Sequence, residues 1–289
     1  MKTHLTILLT AFVLLWGQQF SFPRQAAAGL IAYDGFNYGP VGVGLNGLTG
    51  GGSFGWGGAW STTGNSTIAA GSLTSPTVPM SVTGNSVTAA AAGTNRDSSR
   101  SFPSPLGTAG TSLYVGFLIE PEGVVGGGSD NGYFGLNLMS TEGGPGVVMI
   151  DKPGAGAEND WVLESNFGNG QFASSVPVIS GQTYLMVCRI DFATSGSDTF
   201  SLFIDPPSTT QPATPDAVKG GVNFGQMSAL DITGPGAFSI DELRVGTTFA
   251  SVVPEPSAWL LAICGVGGLW FARRWGSKTA LPDERPTDS

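Results

Sequence analysis

Histidine is almost missing from this sequence of 289 residues: the only one is His4, and it lies in the N-terminal segment. Beyond that segment there is no imidazole, which removes Ser-His-Asp and Cys-His catalytic pairs and every metal site that needs histidine. Cysteine is nearly as scarce. Cys188 falls in a strand-like stretch and Cys264 in a C-terminal apolar run, no Cys-x-x-Cys occurs, and no disulfide framework is expected. Charged residues make up only 11% of the chain. Basic residues are rarest in the middle: between Gly29 and Val253 there are 6, against 17 acidic ones, a net charge of −11. Such a segment repels nucleic acid and anionic lipid, and its scattered acids read as a solvated surface. No long helical periodicity precedes residue 257, so no glycine-rich phosphate loop can open a helix there.

What is abundant is glycine, 45 residues, together with many Ser, Thr and Asn. That composition favours short strands and many turns, and about 225 residues between the two terminal segments suit one large β-sandwich. Residues 1–28 read as a secretory signal peptide: Lys2, an apolar run from Leu5 to Trp16, and a small-residue cleavage site at Ala26-Ala27-Ala28. An uncleaved anchor is the competing reading, because Arg24 and a long spacer separate Trp16 from Ala28.

The first strand is predicted at 30–37. A glycine-dense loop follows, Gly50 to Trp60, carrying Phe54, Trp56 and Trp60. These three aromatics are candidate glycan-stacking residues, and the competing role is to plug one end of a sandwich. Residues 61–110 look like shallow strands around 67–73 and 86–92. From Ser112 to Glu120 the alternation is clean, with Leu113, Val115, Phe117 and Ile119 on one face and Tyr114, Gly116 and Leu118 on the other. Further strands are expected at 132–139, 147–150 and 161–165, then a hairpin of 183–193 with 198–205. Cys188 sits in the apolar row of that hairpin and is expected to be an inert packed thiol. Residues 206–221 read as a surface loop. In the last strand, 238–246, the apolar phase changes at Asp241-Glu242, as a β-bulge would cause.

The stretches Ala32-Tyr33-Asp34-Gly35-Phe36, Gly55-Trp56-Gly57-Gly58-Ala59-Trp60, Tyr184 to Phe192 and Ile240-Asp241-Glu242-Leu243-Arg244-Val245-Gly246 together resemble concanavalin A-like (laminin G-like) domains of exported bacterial proteins. The resemblance implies an all-β jelly roll over 29–250, two antiparallel sheets with the first and last strands side by side. Relatives of this kind often hold calcium at a sandwich rim, which makes Asp130-Asn131, Asp198 and Asp205 candidates; no EF-hand spacing exists, and no metal or other cofactor is assigned. The fold also hosts glycosidases with Glu-x-Asp-x-Glu strands. The nearest match, Glu158 to Glu164, is misspaced: on a strand the two would stand about 20 Å apart, where a four-residue spacing gives about 13 Å. Glu120-Pro121-Glu122 and Asp241-Glu242 are weaker pairs, the latter because adjacent strand residues point to opposite faces.

Near the C-terminus come Pro254-Glu255-Pro256, an apolar run from Ala258 to Ala272 flanked by Trp259 and Trp270, and Arg273-Arg274. As a helix the run spans roughly 22 Å, short for a bilayer core, but its tryptophans and following arginines fit a membrane segment with a cytoplasmic tail. Motif, helix and basic cluster in this order resemble the PEP-CTERM sorting signal, with 251–275 as the signal and 276–289 as a polar tail longer than usual. The resemblance implies recognition by an exosortase-type membrane protease and delivery to the cell surface or matrix. The expectation is therefore an exported, non-enzymatic surface or matrix protein associated with extracellular polysaccharide, with a lectin-like module, and then a glycan hydrolase, as the alternatives.

Overall fold

In the computed structural model the described residues are 29–253, apart from 81, 83, 90–94, 126–131, 143–146, 156, 158 and 166–168. The expected signal peptide, the expected sorting residues Pro254, Glu255, Pro256, Arg273 and Arg274, the apolar run Ala258 to Ala272, the polar stretch after it, Asp130-Asn131 and Glu158 all lie outside them. Among the described residues no helix is long and apolar enough to cross a membrane.

Fifteen strands form two antiparallel sheets. In chain order they are β1 (Leu30–Asp34), β2 (Ser61–Thr63), β3 (Thr67–Ala70), β4 (Asn85–Thr88), β5 (Asp97–Leu106), β6 (Ser112–Pro121), β7 (Phe134–Ser140), β8 (Val148–Lys152), β9 (Asp160–Ser165), β10 (Asn169–Pro177), β11 (Tyr184–Asp191), β12 (Asp198–Ile204), β13 (Ala217–Val222), β14 (Met227–Thr233) and β15 (Phe238–Gly246). One sheet has eight strands, ordered β13-β12-β11-β6-β15-β4-β3, with β1 also paired to β15. The other has seven, ordered β10-β9-β8-β7-β14-β5-β2. The first and last strands are side by side, Leu30 opposite Gly246 and Tyr33 opposite Arg244.

Period-two alternation decides the faces. Phe117 and Ile119 of β6, Cys188 and Ile190 of β11, and Leu202 of β12 turn inward from the eight-stranded sheet. Leu136 and Leu138 of β7, Ile150 of β8 and Leu163 of β9 turn inward from the seven-stranded one, and together they make the main core. Cys188 is fully buried, and burial pushes its thiol far above the ordinary range. A second apolar cluster lies on the outer face of the eight-stranded sheet. There Leu118, Leu185, Val187 and Phe203 are covered by Val78 and by a one-turn helix, α1 (Phe249–Val252). Thr248 caps that turn by accepting from the Ser251 N–H, and Phe249 meets Tyr114 and Phe203 edge-on, with centroids 6.1 and 5.6 Å apart.

Five strands depart from the sequence expectation, the short β2 among them. β5 spans ten residues with only Phe102 and Leu106 as large apolar side chains, and β10 and β14 fall where no strand was expected. β13 occupies part of the presumed 206–221 loop. The bulge in β15 is present: the register to β6 shifts between Asp241 and Arg244, and Glu242 takes φ +54.

Candidate functional site

Three places bring chemistry-bearing side chains together. The first is the aromatic loop after β1. Tyr33 and Phe54 exchange backbone hydrogen bonds of 3.0 Å each way, which lays the loop along the first strand. The loop then folds onto Asp34, whose carboxylate is the centre of a buried cluster. Asp34 Oδ2 accepts from Arg100 Nη1 at 2.6 Å, the Tyr38 hydroxyl at 2.7 Å and Trp60 Nε1 at 2.9 Å, while Oδ1 accepts from the Phe36 N–H at 3.0 Å. Burial pushes the Asp34 carboxyl up; the Tyr38 hydroxyl, the Phe36 N–H, Arg100 and Trp60 all oppose it. Burial and the Asp34 charge push the Tyr38 phenol up to about 12.

This cluster decides what the loop aromatics can do. Trp60 is 1% exposed, belongs to the core and offers no face to a ligand. Trp56 is half-buried, stacked on Phe102 at 5.1 Å, with its Nε1 donating to the Tyr33 carbonyl at 2.9 Å and the Arg100 guanidinium 5.3 Å from its ring centre. Phe54, at 38%, is the one of the three that reaches solvent broadly. The aromatic triplet thus splits into a core plug, a wall and an exposed ring.

The second place is the outer face of each sheet, where carboxylates collect. The bulge in β15 puts the adjacent residues Asp241 and Glu242 on the same outer face, contrary to the opposite faces that regular strand pleating gives. Asp241 stands opposite Leu118, and its Oδ2 accepts from the Leu73 N–H at 3.0 Å. Glu242 accepts from the Tyr33 hydroxyl at 2.9 Å and pairs with Arg244. Both acids are fully buried, and burial together with Glu242 pushes Asp241 up to about 8. On the seven-stranded sheet, Glu164 has Asp151 of β8 as a charged neighbour, since Met149 faces Glu164 and Asp151 lies two residues further along. Gln171 Nε2 donates to Glu164 Oε2 at 3.0 Å and to the Ala155 carbonyl at 3.0 Å, drawing the 155–157 loop over that face. Asn137 of β7 and Asp231 of β14 are also polar and buried in this sheet, and alternation was the available signal for them: Asn137 stands between Leu136 and Leu138, and Asp231 between Leu230 and Ile232.

The third place is a cavity of about 320 Å³ at one rim, lined by Thr108, Phe192, Asp198, Asn223 and Gln226 among others. Asp198 is not free for a metal there. Its Oδ1 accepts from the Ala193 N–H at 2.8 Å and its Oδ2 from the Phe224 N–H at 2.9 Å, so it ties two turns together. Asp205 accepts from the Leu185 N–H at 2.7 Å and has φ +49, again a turn role. Among the described residues no three His, Cys, Asp or Glu side chains converge on one point.

The chain matches no family model and no curated protein. Among solved structures it is similar to the T. cruzi calreticulin globular domain, with 14% identity and a TM-score of 0.47 over 85% of this chain and 96% of that one. It is similar also to the endo-beta-1,4-glucuronan lyase of Trichoderma reesei, with 14% identity and a TM-score of 0.45 over 70% and 95%. A third is the endo-1,3-beta-glucanase of Streptomyces sioyaensis, with 14% identity and a TM-score of 0.44 over 76% and 96%.

Proposed function

We propose that this protein is an exported, non-enzymatic component of the cell surface or extracellular matrix, a β-sandwich sorted through a PEP-CTERM-type signal and associated with extracellular polysaccharide. The observation that carries the non-enzymatic reading is the burial of the two carboxylate pairs on the outer sheet faces. Acid–base cleavage of a glycan needs two carboxyl groups lining a cleft that admits the sugar. Here Asp151 and Glu164, and likewise Asp241 and Glu242, are each at most 3% exposed. The sorting step rests on the order of Pro254-Glu255-Pro256, the apolar run and Arg273-Arg274, with an exosortase-type protease as the processing partner and the arginines on the cytoplasmic side.

The rim cavity supports a second reading, a lectin-like module, because amide and hydroxyl side chains beside an aromatic ring suit one sugar unit. Intact-mass spectrometry of the protein recovered from its native envelope tests the sorting: a C-terminus near Pro256 supports it, and an intact Ser289 makes the apolar run a permanent anchor and overturns it. A glycan array probed with the full chain in detergent, alongside reducing-sugar release on the same glycans, tests the rest. Binding without release fits the proposal; release of sugar ends it.

A further inference from the structure

On the outer face of the seven-stranded sheet several buried side-chain oxygens lack a hydrogen-bond partner. Asp231 of β14 stands opposite Asn137 of β7, and the Asn137 Nδ2 donates to Asp231 Oδ2 at 3.1 Å. That bond leaves Asn137 Oδ1 and Asp231 Oδ1 without partners, and both oxygens of Asp151 on β8 are also without a hydrogen bond. Asp151 lies opposite Gly135 and so is the diagonal neighbour of Asn137, on the same face. Asp151 is 0% exposed, Asn137 1% and Asp231 6%. Buried polar atoms in native proteins almost always have partners. A buried carboxylate with both oxygens unpartnered, diagonal to the unpartnered Asn137 Oδ1, is a different matter from one misplaced hydroxyl.

A proton on Asp151 would cancel its charge and still leave acceptors unfilled. A cation fills them. The set consists of carboxylate and amide oxygens with no nitrogen or sulfur, the donor type of a hard ion, and its irregular spacing suits calcium better than the strict octahedron of magnesium. Burial and the nearby Glu164 push the Asp151 carboxyl well up, with Lys152 pulling the other way, as befits an acid whose counter-charge is incomplete.

We propose that this face binds a calcium ion through the Asp151 carboxylate and the Asn137 carboxamide oxygen, with Asp231 Oδ1 reaching it directly or through water. The site is separate from the rim carboxylates Asp198 and Asp205, which are committed to backbone N–H groups. Because few carboxylates converge, affinity belongs in the weak extracellular range, a Kd of about 0.1 to 1 mM.

The test is thermal denaturation of the full chain in detergent micelles, stripped of metal with a chelator and then titrated with calcium chloride or magnesium chloride to 10 mM. Calcium is expected to raise Tm by roughly 5 °C at the end of the titration, and magnesium by less than half of that. Asp151→Asn is expected to match or exceed the wild-type Tm without metal and to lose the calcium response; Asp198→Asn is expected to keep it. If Asp151→Asn does not fold, Asn137→Leu serves in its place and is expected to lose the response as well. No calcium-dependent rise in the wild type, an equal rise with magnesium, or an unchanged rise in Asp151→Asn overturns the site. None of these readings depends on sorting or on glycan binding.

Discussion

Replacing Asp241 by asparagine is expected to be nearly neutral for stability at pH 5 and stabilising at pH 9. The carboxyl is fully buried beside Glu242, and burial, with that neighbouring charge, raises it from 3.8 to about 8. A carboxyl that is raised in the folded state binds its proton more tightly there than in the unfolded chain. Its contribution to stability is therefore intact below about pH 4 and is lost progressively as pH rises toward 8. That difference corresponds to a loss on the order of 5 kcal/mol. Asparagine has no such loss. It can still accept from the Leu73 N–H, but it cannot also offer a second oxygen to the Glu242 N–H, which Asp241 Oδ1 accepts at 2.7 Å. That lost acceptor costs about 1 to 3 kcal/mol at every pH. The variant should accordingly be about as stable as the wild type at pH 5, where the wild type has already lost roughly 1.6 kcal/mol, and more stable by a few kcal/mol at pH 9. Urea denaturation at pH 5, 7 and 9, followed by tryptophan fluorescence, measures both curves. A difference between them that stays constant with pH would show that Asp241 does not titrate in this range, and the argument from its burial would fail.

Arg100→Met should destabilise the domain by about 3 to 5 kcal/mol, because the Asp34 carboxylate stays buried and loses its only cationic partner at 2.6 Å; equilibrium urea unfolding reads this directly. Gly135→Ala should cost roughly 1 to 3 kcal/mol, since its Cβ would stand 2.2 Å from the Ile150 carbonyl, whereas Gly44→Ala, with nothing within 4 Å, should change stability by no more than about 0.5 kcal/mol. In a Cys264→Ser background, Cys188 should react with Ellman's reagent only as fast as the protein unfolds, because the thiol is fully buried and its ionisation is suppressed. A fast stoichiometric reaction in native buffer would contradict that packing.

Where apolar residues alternate without interruption, the fold can be read from the sequence. Leu113, Val115, Phe117 and Ile119 turn inward in β6 as their spacing requires, and β11 and β12 pair as the predicted hairpin, Cys188 opposite Leu202. Even the bulge at Asp241-Glu242 was visible as a change of phase. Its consequence for the side chains was not, because a bulge breaks the rule by which adjacent residues are assigned opposite faces. β5 was illegible for another reason. Asp97 to Leu106 contains three serines before Phe102 and prolines at 103 and 105, and its inward position at Arg100 is filled by a cation whose partner, Asp34, is 66 residues away. Its prolines fall beyond the part that pairs with β2, from Asp97 to Ser99, where one edge has no ladder bonds to lose. The aromatic loop has the same difficulty. A tryptophan in a glycine-rich loop reads as a platform or a plug until the carboxylate that receives its N–H is located, and for Trp60 that carboxylate is Asp34.

The two ends of the domain meet at β15. The Thr247 N–H donates to the Gly29 carbonyl at 2.8 Å, so the chain enters the sandwich beside the place where its last strand ends. After that strand it does not trail away. Thr248 caps α1, Phe249 and Val252 seal the outer apolar face, and Val253 is 0% exposed. On the proposed sorting route the motif at Pro254 follows a docked residue with no spacer. The fold therefore limits how far the sandwich can stand from whatever holds Pro254-Glu255-Pro256. Undocking α1 to gain slack would expose Leu118, Leu185, Val187 and Phe203, an apolar surface that a protein with so few charges can least tolerate in water. If that route holds, folding of the last strand and presentation of the segment that follows Val253 are parts of one structural event.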